Sequence, residues 1–221
     1  MLRAMQRLID MLIPPVCPGC GHEGEAPCRG CLDRMGRRLG EPAGLPLGLA
    51  GSQPAGIVQL EWCGPYAGAA RDCLHELKYD GEQRLAGPLG RLMAERWRRA
   101  GVGGDVLVPV PVHAARRRDR GFDQAELLAG SIAQALGLAV VPALARSART
   151  TAQHSLGREA RERNVGRVFA VPARHEAAVR GRWIILVDDV STTGATLAAC
   201  ADALYAAGSR AVSALALARE R

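Results

Sequence analysis

Residues 183–196 read Trp183-Ile184-Ile185-Leu186-Val187-Asp188-Asp189-Val190-Ser191-Thr192-Thr193-Gly194-Ala195-Thr196, and their order decides the fold class. The first five form a short apolar run with β-branched residues, the pattern of a strand buried on both faces of a parallel sheet. Two carboxylates stand where that strand is expected to emerge at its carboxyl end, the place where open α/β sheets bind their ligands. A hydroxyl-rich loop with one glycine follows and leads into an expected helix over 196–207. The first-turn amides of such a helix lack intrahelical partners, and its dipole favours an anion. Gly194 allows close backbone approach, while Ser191, Thr192, Thr193 and Thr196 add hydroxyl donors. Vicinal hydroxyls on a sugar attached to that anion would find acceptors in Asp188 and Asp189. These features describe a ribose 5-phosphate site. The same residue types also cap a helix well without any ligand, so the residue types alone leave both readings open.

Outward from this stretch, residues 106–112 form a second short apolar run with β-branched members, and 140–141 and 211–218 supply further strand candidates. Apolar residues at three- and four-residue spacing predict helices over 66–78 and 84–100, broken by Gly81-Glu82, and over 122–136. Such alternation predicts an α/β domain with an open, mostly parallel sheet flanked by helices. Glycine, proline and small residues over 39–56 leave no period and read as a connecting segment. Residues 2–13 carry Arg3 and Arg7 ahead of apolar residues, but Asp10 interrupts the run and no small-residue cleavage site follows. A short amphipathic helix is expected there. No apolar run approaches the roughly 18 residues that span a bilayer, so a cytoplasmic protein is expected.

The formal charge of +7 favours an anionic partner, either nucleic acid or a phosphorylated small molecule, without choosing between them. Its distribution is more informative. The 106–112 run delivers His113 and then Arg116, Arg117, Arg118 and Arg120, a cluster whose forked donors match pyrophosphate, with a solvated basic turn as the alternative. Lys78 is the only lysine among 29 basic residues. An ammonium retained in so arginine-rich a chain points to a place where a guanidinium does not fit, with chance as the alternative. Residues 146–169 are polar and hold Arg149, Gln153, Arg158, Arg161 and Asn164. They read as a mobile lid or as an exposed helix over 156–164 held by Glu/Arg pairs.

Seven cysteines, four of them in Cys17-Pro18-Gly19-Cys20 and Cys28-Arg29-Gly30-Cys31, suit a reduced compartment better than a disulfide framework. Two such pairs are the arrangement from which a closed, structural Zn(Cys)4 centre is built, with Gly19 and Gly30 helping each turn. The seven intervening residues are a short spacing, which leaves His22 open as a substitute ligand. Cys63, Cys73 and Cys200 read as small buried hydrophobes.

The 187–196 string resembles the motif that binds 5-phosphoribosyl-1-pyrophosphate (PRPP) in type I phosphoribosyltransferases. The likeness extends to the two cysteine pairs, Leu77-Lys78-Tyr79, Val108-Pro109-Val110-Pro111, Arg120-Gly121-Phe122-Asp123-Gln124-Ala125, Gln153 and Arg161-x-x-Asn164-Val165. Together these resemble the ComF family, phosphoribosyltransferase-like proteins with an N-terminal zinc ribbon that are associated with DNA uptake. One departure is Asp123, where the family usually has asparagine; no binding role is expected of it. The expected division is a short helix and zinc ribbon over 1–45, a linker over 46–56 and a phosphoribosyltransferase-like domain over 57–221.

The resemblance implies Mg²⁺-dependent transfer of a phosphoribosyl group from PRPP with release of pyrophosphate. It implies catalytic roles for Asp188 and Asp189. It implies substrate binding by Val190, Ser191, Thr192, Thr193, Gly194, Ala195 and Thr196 and by Lys78, Arg116, Arg120 and Arg161. Structural zinc would sit on Cys17, Cys20, Cys28 and Cys31. The alternatives are a PRPP sensor without turnover and a single-stranded-DNA-binding protein of the uptake apparatus, for which three Trp, three Tyr and two Phe leave few stacking platforms.

Overall fold

A computed structural model of the chain describes residues 14–44, 53–146 and 168–220. The helix expected over 2–13, most of the linker, and residues 147–167 of the polar segment, Arg161 among them, lie outside the described residues.

The run at 183–187 forms the start of the middle strand of a five-stranded sheet. In chain order the sheet contains β1 (Leu60–Pro65), β2 (Val106–Pro109), β3 (Ala139–Val140), β6 (Trp183–Ser191) and β7 (Ala211–Arg219), arranged β1-β7-β6-β2-β3 with every pairing parallel. β4 (Ala145–Arg146) and β5 (Phe169–Ala170) make a separate antiparallel pair. Parallel pairing demands crossover connections, and these cover both faces of the sheet. On one face α2 (Ala69–His75), α3 (Ala86–Ala100) and α5 (Gln124–Leu136) bury Leu74, Leu89, Met93, Leu128 and Ile132 against Ile185 and Val187. On the other, α6 (Ala173–Val179) and α7 (Ala195–Ala206) bury Val179, Leu197, Cys200 and Leu204 against Ile184 and Leu186. Alternate residues of β6 thus feed opposite cores, as the period of two requires.

β6 runs four residues past the apolar stretch, to Ser191. β7 supplies partners for this extension, with Asp188 opposite Ala216, Val190 opposite Ala218 and Ser191 opposite Arg219. Asp188 and Asp189 therefore belong to the paired strand and do not follow it. The expected basic turn is also ordered differently: Ala114–Arg120 form a short helix, α4, N-capped by His113 Nδ1, which accepts from Ala115 N at 3.2 Å, and closed by left-handed Gly121.

The cysteine ribbon packs directly on this domain. Cys17, Cys31 and Met35 join the first core cluster, the latter two carried by α1 (Arg29–Met35). Gly19 and Gly64 have steric reasons for being glycine, since a Cβ on the first would collide with Ala69 and one on the second with the Met35 carbonyl. Gly30 lies in α1, where a Cβ would meet only the Arg34 side chain at 3.9 Å, so the second pair rests on a helix start and needs no glycine turn.

A fully buried ion pair closes the sheet edge. Arg96 of α3 donates to Glu61 of β1 through Nη2 at 2.6 Å and Nε at 2.8 Å, and Gln59 Nε2 donates to the other carboxylate oxygen at 2.7 Å. The remaining Arg96 donors reach the carbonyls of Arg38, Glu41 and Pro42, which ties the chain leaving the ribbon to the edge strand. Removing either partner strands a buried charge, so this pair fixes one arrangement of ribbon and sheet.

Candidate functional site

Asp189 is 6% exposed and fully engaged. Its Oδ2 lies 2.5 Å from Lys78 Nζ and accepts from Gln124 Nε2 at 3.2 Å, while Oδ1 accepts from Val190 N at 2.7 Å. Lys78 arrives on the π-helical turn Glu76–Asp80 that continues α2, and Gln124 opens α5. Asp188 is only partly covered, and its Oδ1 accepts from Asp189 N at 2.8 Å. Burial, then the charge of Asp189, holds the Asp188 carboxyl well above the usual carboxylate range. Two carboxyls crowded in this way favour a ligand that brings hydrogen-bond donors or positive charge.

The following loop is compact. Ser191 is buried and its Oγ meets no partner, whereas Thr192, Thr193, Ala195 and Thr196 are exposed. Gly194 takes a left-handed conformation (φ 79°) as N-cap of α7, and a side chain there would collide with the Pro54 ring. Thr193 Oγ1 accepts from Ala195 N at 3.3 Å. The amides of Thr196 and Leu197 open the helix without intrahelical acceptors, so hydroxyls and amides converge on one exposed loop.

Beside the aspartates lies a cavity of about 360 Å³ lined by Lys78, Tyr79, Gly81, Arg116, Asp119, Arg120 and Phe122. Lys78 belongs both to this cavity and to the Asp189 ion pair. Arg120 stacks over Tyr79, its Cζ 4.8 Å from the ring centroid, and donates to Gln124 Oε1 at 3.0 Å. An unbroken chain Arg120–Gln124–Asp189–Lys78 results. Arg117 points elsewhere, in a bidentate pair with Glu126 at 2.9 Å.

At the ribbon, the sulfurs of Cys17, Cys20, Cys28 and Cys31 lie within 4.8 Å of one another. Tetrahedral Zn–S bonds of about 2.3 Å place sulfurs about 3.8 Å apart, so the four thiols could bind zinc. His22 is not in the converging set. Cys28 N and Arg34 Nη2 donate to Cys17 Sγ at 3.3 Å and Cys31 Sγ at 2.8 Å, contacts suited to thiolate charge.

No family model matches the chain. It is 33% identical over 213 residues to the DNA utilization protein YhgH of Escherichia coli K12, covering 92% of this chain and 84% of that protein. The YhgH protein of Salmonella typhi is 33% identical over 191 residues, 82% of each chain. Competence protein F of Haemophilus influenzae is 31% identical over 94 residues, 42% of this chain and 41% of that protein. The chain belongs to the ComF family. Among solved structures it is similar to glutamine PRPP amidotransferase from B. subtilis complexed with ADP and GMP, with a TM-score of 0.43 and 23% identity over 58% of this chain and 25% of that one. A structure of the allosteric regulatory enzyme of purine biosynthesis matches with a TM-score of 0.43 and 21% identity, over 60% and 26% of the two chains.

The ComF chain has the expected α/β architecture, an open parallel sheet flanked by helices, with a four-cysteine cluster near its N-terminus. Of the expected site residues, Lys78, Arg116 and Arg120 line one cavity, Lys78 pairs with Asp189, and Asp188 stands beside Asp189 on β6, from which 190–196 run on. No binding role is expected of Asp123, and backbone amides engage it. Asp123, 2% exposed, caps α5 by accepting from Ala125 N at 2.9 Å and Glu126 N at 3.4 Å, and holds Val112 N at 3.0 Å. Gln124 and Tyr79 join the Lys78–Arg120 group, Gln124 by bridging Arg120 and Asp189 and Tyr79 at the cavity wall, and neither is among the expected site residues. Their neighbours Arg120 and Lys78 carry charge and drew the assignment. Among the described residues, no helix is long and apolar enough to cross a membrane.

Proposed function

We propose that this ComF-family chain binds PRPP at the carboxyl end of β6 and transfers its phosphoribosyl group to a nucleophilic acceptor, the new bond to the sugar replacing its bond to the departing pyrophosphate. The observation that carries the reading is the continuity of Asp188-Asp189 with the Gly194-capped α7 on one side and the Lys78–Arg120 cavity on the other. The amides and hydroxyls of 191–196 receive the 5-phosphate. Asp188 and Asp189 accept from the ribose hydroxyls and stabilise the positive charge that develops on the sugar as its bond to pyrophosphate breaks. Lys78, Arg116 and Arg120 neutralise the leaving group in the adjoining cavity.

The crowded carboxyls of Asp188 and Asp189 fit Mg²⁺ carried by the substrate phosphates, which when bound supplies further charge neutralisation to the leaving pyrophosphate. Lys78 exchanges part of its ion pair with Asp189 for phosphate contact. The ribbon cysteines hold zinc in a structural role, with all four positions filled by protein. The link to DNA uptake rests on the names of the relatives, DNA utilization protein and competence protein F.

A second reading, binding of single-stranded DNA, is favoured by Tyr79. This ring is 65% exposed at the cavity wall beside Arg120, a place where a base can stack. Calorimetric titration with PRPP, ribose 5-phosphate and a single-stranded oligonucleotide, each with and without Mg²⁺, separates the readings. The proposal expects both sugar phosphates to bind, PRPP with Mg²⁺ more tightly. Binding of the oligonucleotide alone would overturn it, and PRPP binding that releases no pyrophosphate with nucleophilic acceptors supplied would favour a sensor.

A further inference from the structure

We propose that Gln124 keeps the two ends of the substrate in register: one end of its amide aims Arg120 at the leaving pyrophosphate, and the other holds Asp189 for the ribose. Gln124 is thus a positioning residue for the transfer, and the inference rests on the PRPP reading for the identity of its ligand.

Gln124 is 6% exposed and opens α5. The backbone from which it projects is fixed by the Asp123 cap, whose second carboxylate oxygen holds Val112 N on the chain leaving β2. The Gln124 side chain ends between two charged groups carried by other elements. Its Oε1 accepts from Arg120 Nη1 of α4 at 3.0 Å, and its Nε2 donates to Asp189 Oδ2 of β6 at 3.2 Å. A guanidinium only donates and an ionised carboxylate only accepts, so a single orientation of the amide satisfies both. Glutamate at this position would set a like charge against Asp189, and an apolar side chain of the same shape would hold neither partner. Arg120 is constrained on two sides, by the Tyr79 ring, whose centroid lies 4.8 Å from Cζ, and by Gln124 at Nη1.

A neutral amide in this place keeps two charges apart. Asp189 already has Lys78 at 2.5 Å as its cation. If Arg120 reached the same carboxylate directly, its charge would be neutralised within the protein. With Gln124 between them, Arg120 makes no ion pair among the described residues and commits one guanidinium nitrogen. Its remaining donors belong to the cavity of about 360 Å³ that it lines with Lys78 and Arg116. Pyrophosphate in that cavity meets an oriented guanidinium whose forked N–H groups match phosphate oxygens. Because the same amide grips Asp189, the position of Arg120 and that of the ribose acceptor are tied together. A misplacement of about 1 Å between such groups can lower a rate about 100-fold.

The test is a double-variant cycle read by calorimetry on the full-length, zinc-loaded protein, with inorganic pyrophosphate and ribose 5-phosphate as separate probes, each with Mg²⁺. Gln124→Met keeps the side-chain shape and loses both hydrogen bonds. It should bind pyrophosphate about tenfold more weakly. Ribose 5-phosphate should change far less, since the 191–196 loop holds its phosphate. Arg120→Met should also weaken pyrophosphate, and adding Gln124→Met to it should weaken binding no further, because no guanidinium is left to aim. A merely structural role would give additive losses. Gln124→Asn, one methylene too short to reach both partners, completes the same cycle if Gln124→Met does not fold. Parent-like pyrophosphate affinity in both Gln124 variants overturns the inference, as do additive losses or a parent that binds no pyrophosphate. A coupled cycle in a protein that binds pyrophosphate but neither PRPP nor ribose 5-phosphate supports the aiming of Arg120 and counts against the PRPP reading alone. PRPP binding with additive losses counts against this inference alone.

Discussion

Lys78 Nζ lies 2.5 Å from Asp189 Oδ2, and both side chains are less than one-fifth exposed. The single lysine of the chain thus compensates a buried carboxylate at the carboxyl end of the middle strand. Lys78→Met should lower the stability of the ligand-free protein by about 3 kcal/mol, because it leaves that carboxylate uncompensated. Asp189→Asn should cost less, and the double variant should recover much of the Lys78→Met loss. Urea unfolding of the four proteins checks this. Purely additive losses would show that the two groups are not coupled.

Asp188 should titrate above the ordinary carboxylate range, and the sign of its effect follows. Its folded-state pKa is raised by burial and then by Asp189, so its stabilising contribution is full below the unfolded-state value and is lost as pH rises through the folded-state value. Ligand-free stability should therefore fall with rising pH across that window. In Asp189→Asn the like charge is gone and the Asp188 pKa should move down. Carboxyl-carbon NMR titration reads both. An Asp188 that titrates in the ordinary range, unmoved by Asp189→Asn, would contradict the crowding of the two groups.

How far the sequence reveals this molecule depends on whether local pattern and tertiary context agree. Strands β2, β6 and β7 show in the sequence because strands buried on both faces are apolar throughout. β1 does not show in the sequence because Gln59 and Glu61 break its apolar pattern, and their burial makes sense only with Arg96, 35 residues beyond Glu61, in place. The end of β6 lies beyond where the sequence pattern puts it for a related reason: pairing with β7 continues under polar side chains, and hydropathy does not register it. The aspartates and the glycine loop were legible as a string, since strand, carboxylates and helix start are contiguous. Gln124 was not, because its role exists only where α5 meets β6. The site assignment of Arg161 lies outside the described residues.

Asp123→Asn should keep the helix cap and lose the Val112 contact, because the amide nitrogen that replaces Oδ2 cannot accept from Val112 N. Asparagine caps as well as aspartate, and burial raises the Asp123 pKa, so the charge itself is a liability. Asp123→Asn should cost about 1 kcal/mol through the released Val112 amide and leave PRPP binding close to the parent, whereas Asp123→Ala should cost about 1–2 kcal/mol more through the lost cap. Thermal or urea unfolding distinguishes them. A selective loss of PRPP affinity in Asp123→Asn would place this residue in the site after all.

Zinc should be present at one ion per chain, and its loss should be felt beyond the ribbon, since Cys17 and Cys31 are part of the main core cluster. Cys20→Ser, at the exposed position, should lower metal content and the melting temperature together. Metal analysis of protein purified without added zinc, paired with melting curves before and after chelation, checks both. Full stability at less than about half an equivalent of zinc would speak against a structural centre.

The most direct test of the central claim is calorimetric titration of PRPP, with Mg²⁺, into the parent and into Asp188→Asn/Asp189→Asn. Asparagine keeps the side-chain shape and the strand pairing while removing the charge. The account predicts that the double variant loses PRPP affinity sharply, with an unchanged zinc content and a folded spectrum. A double variant that binds PRPP as tightly as the parent would contradict it.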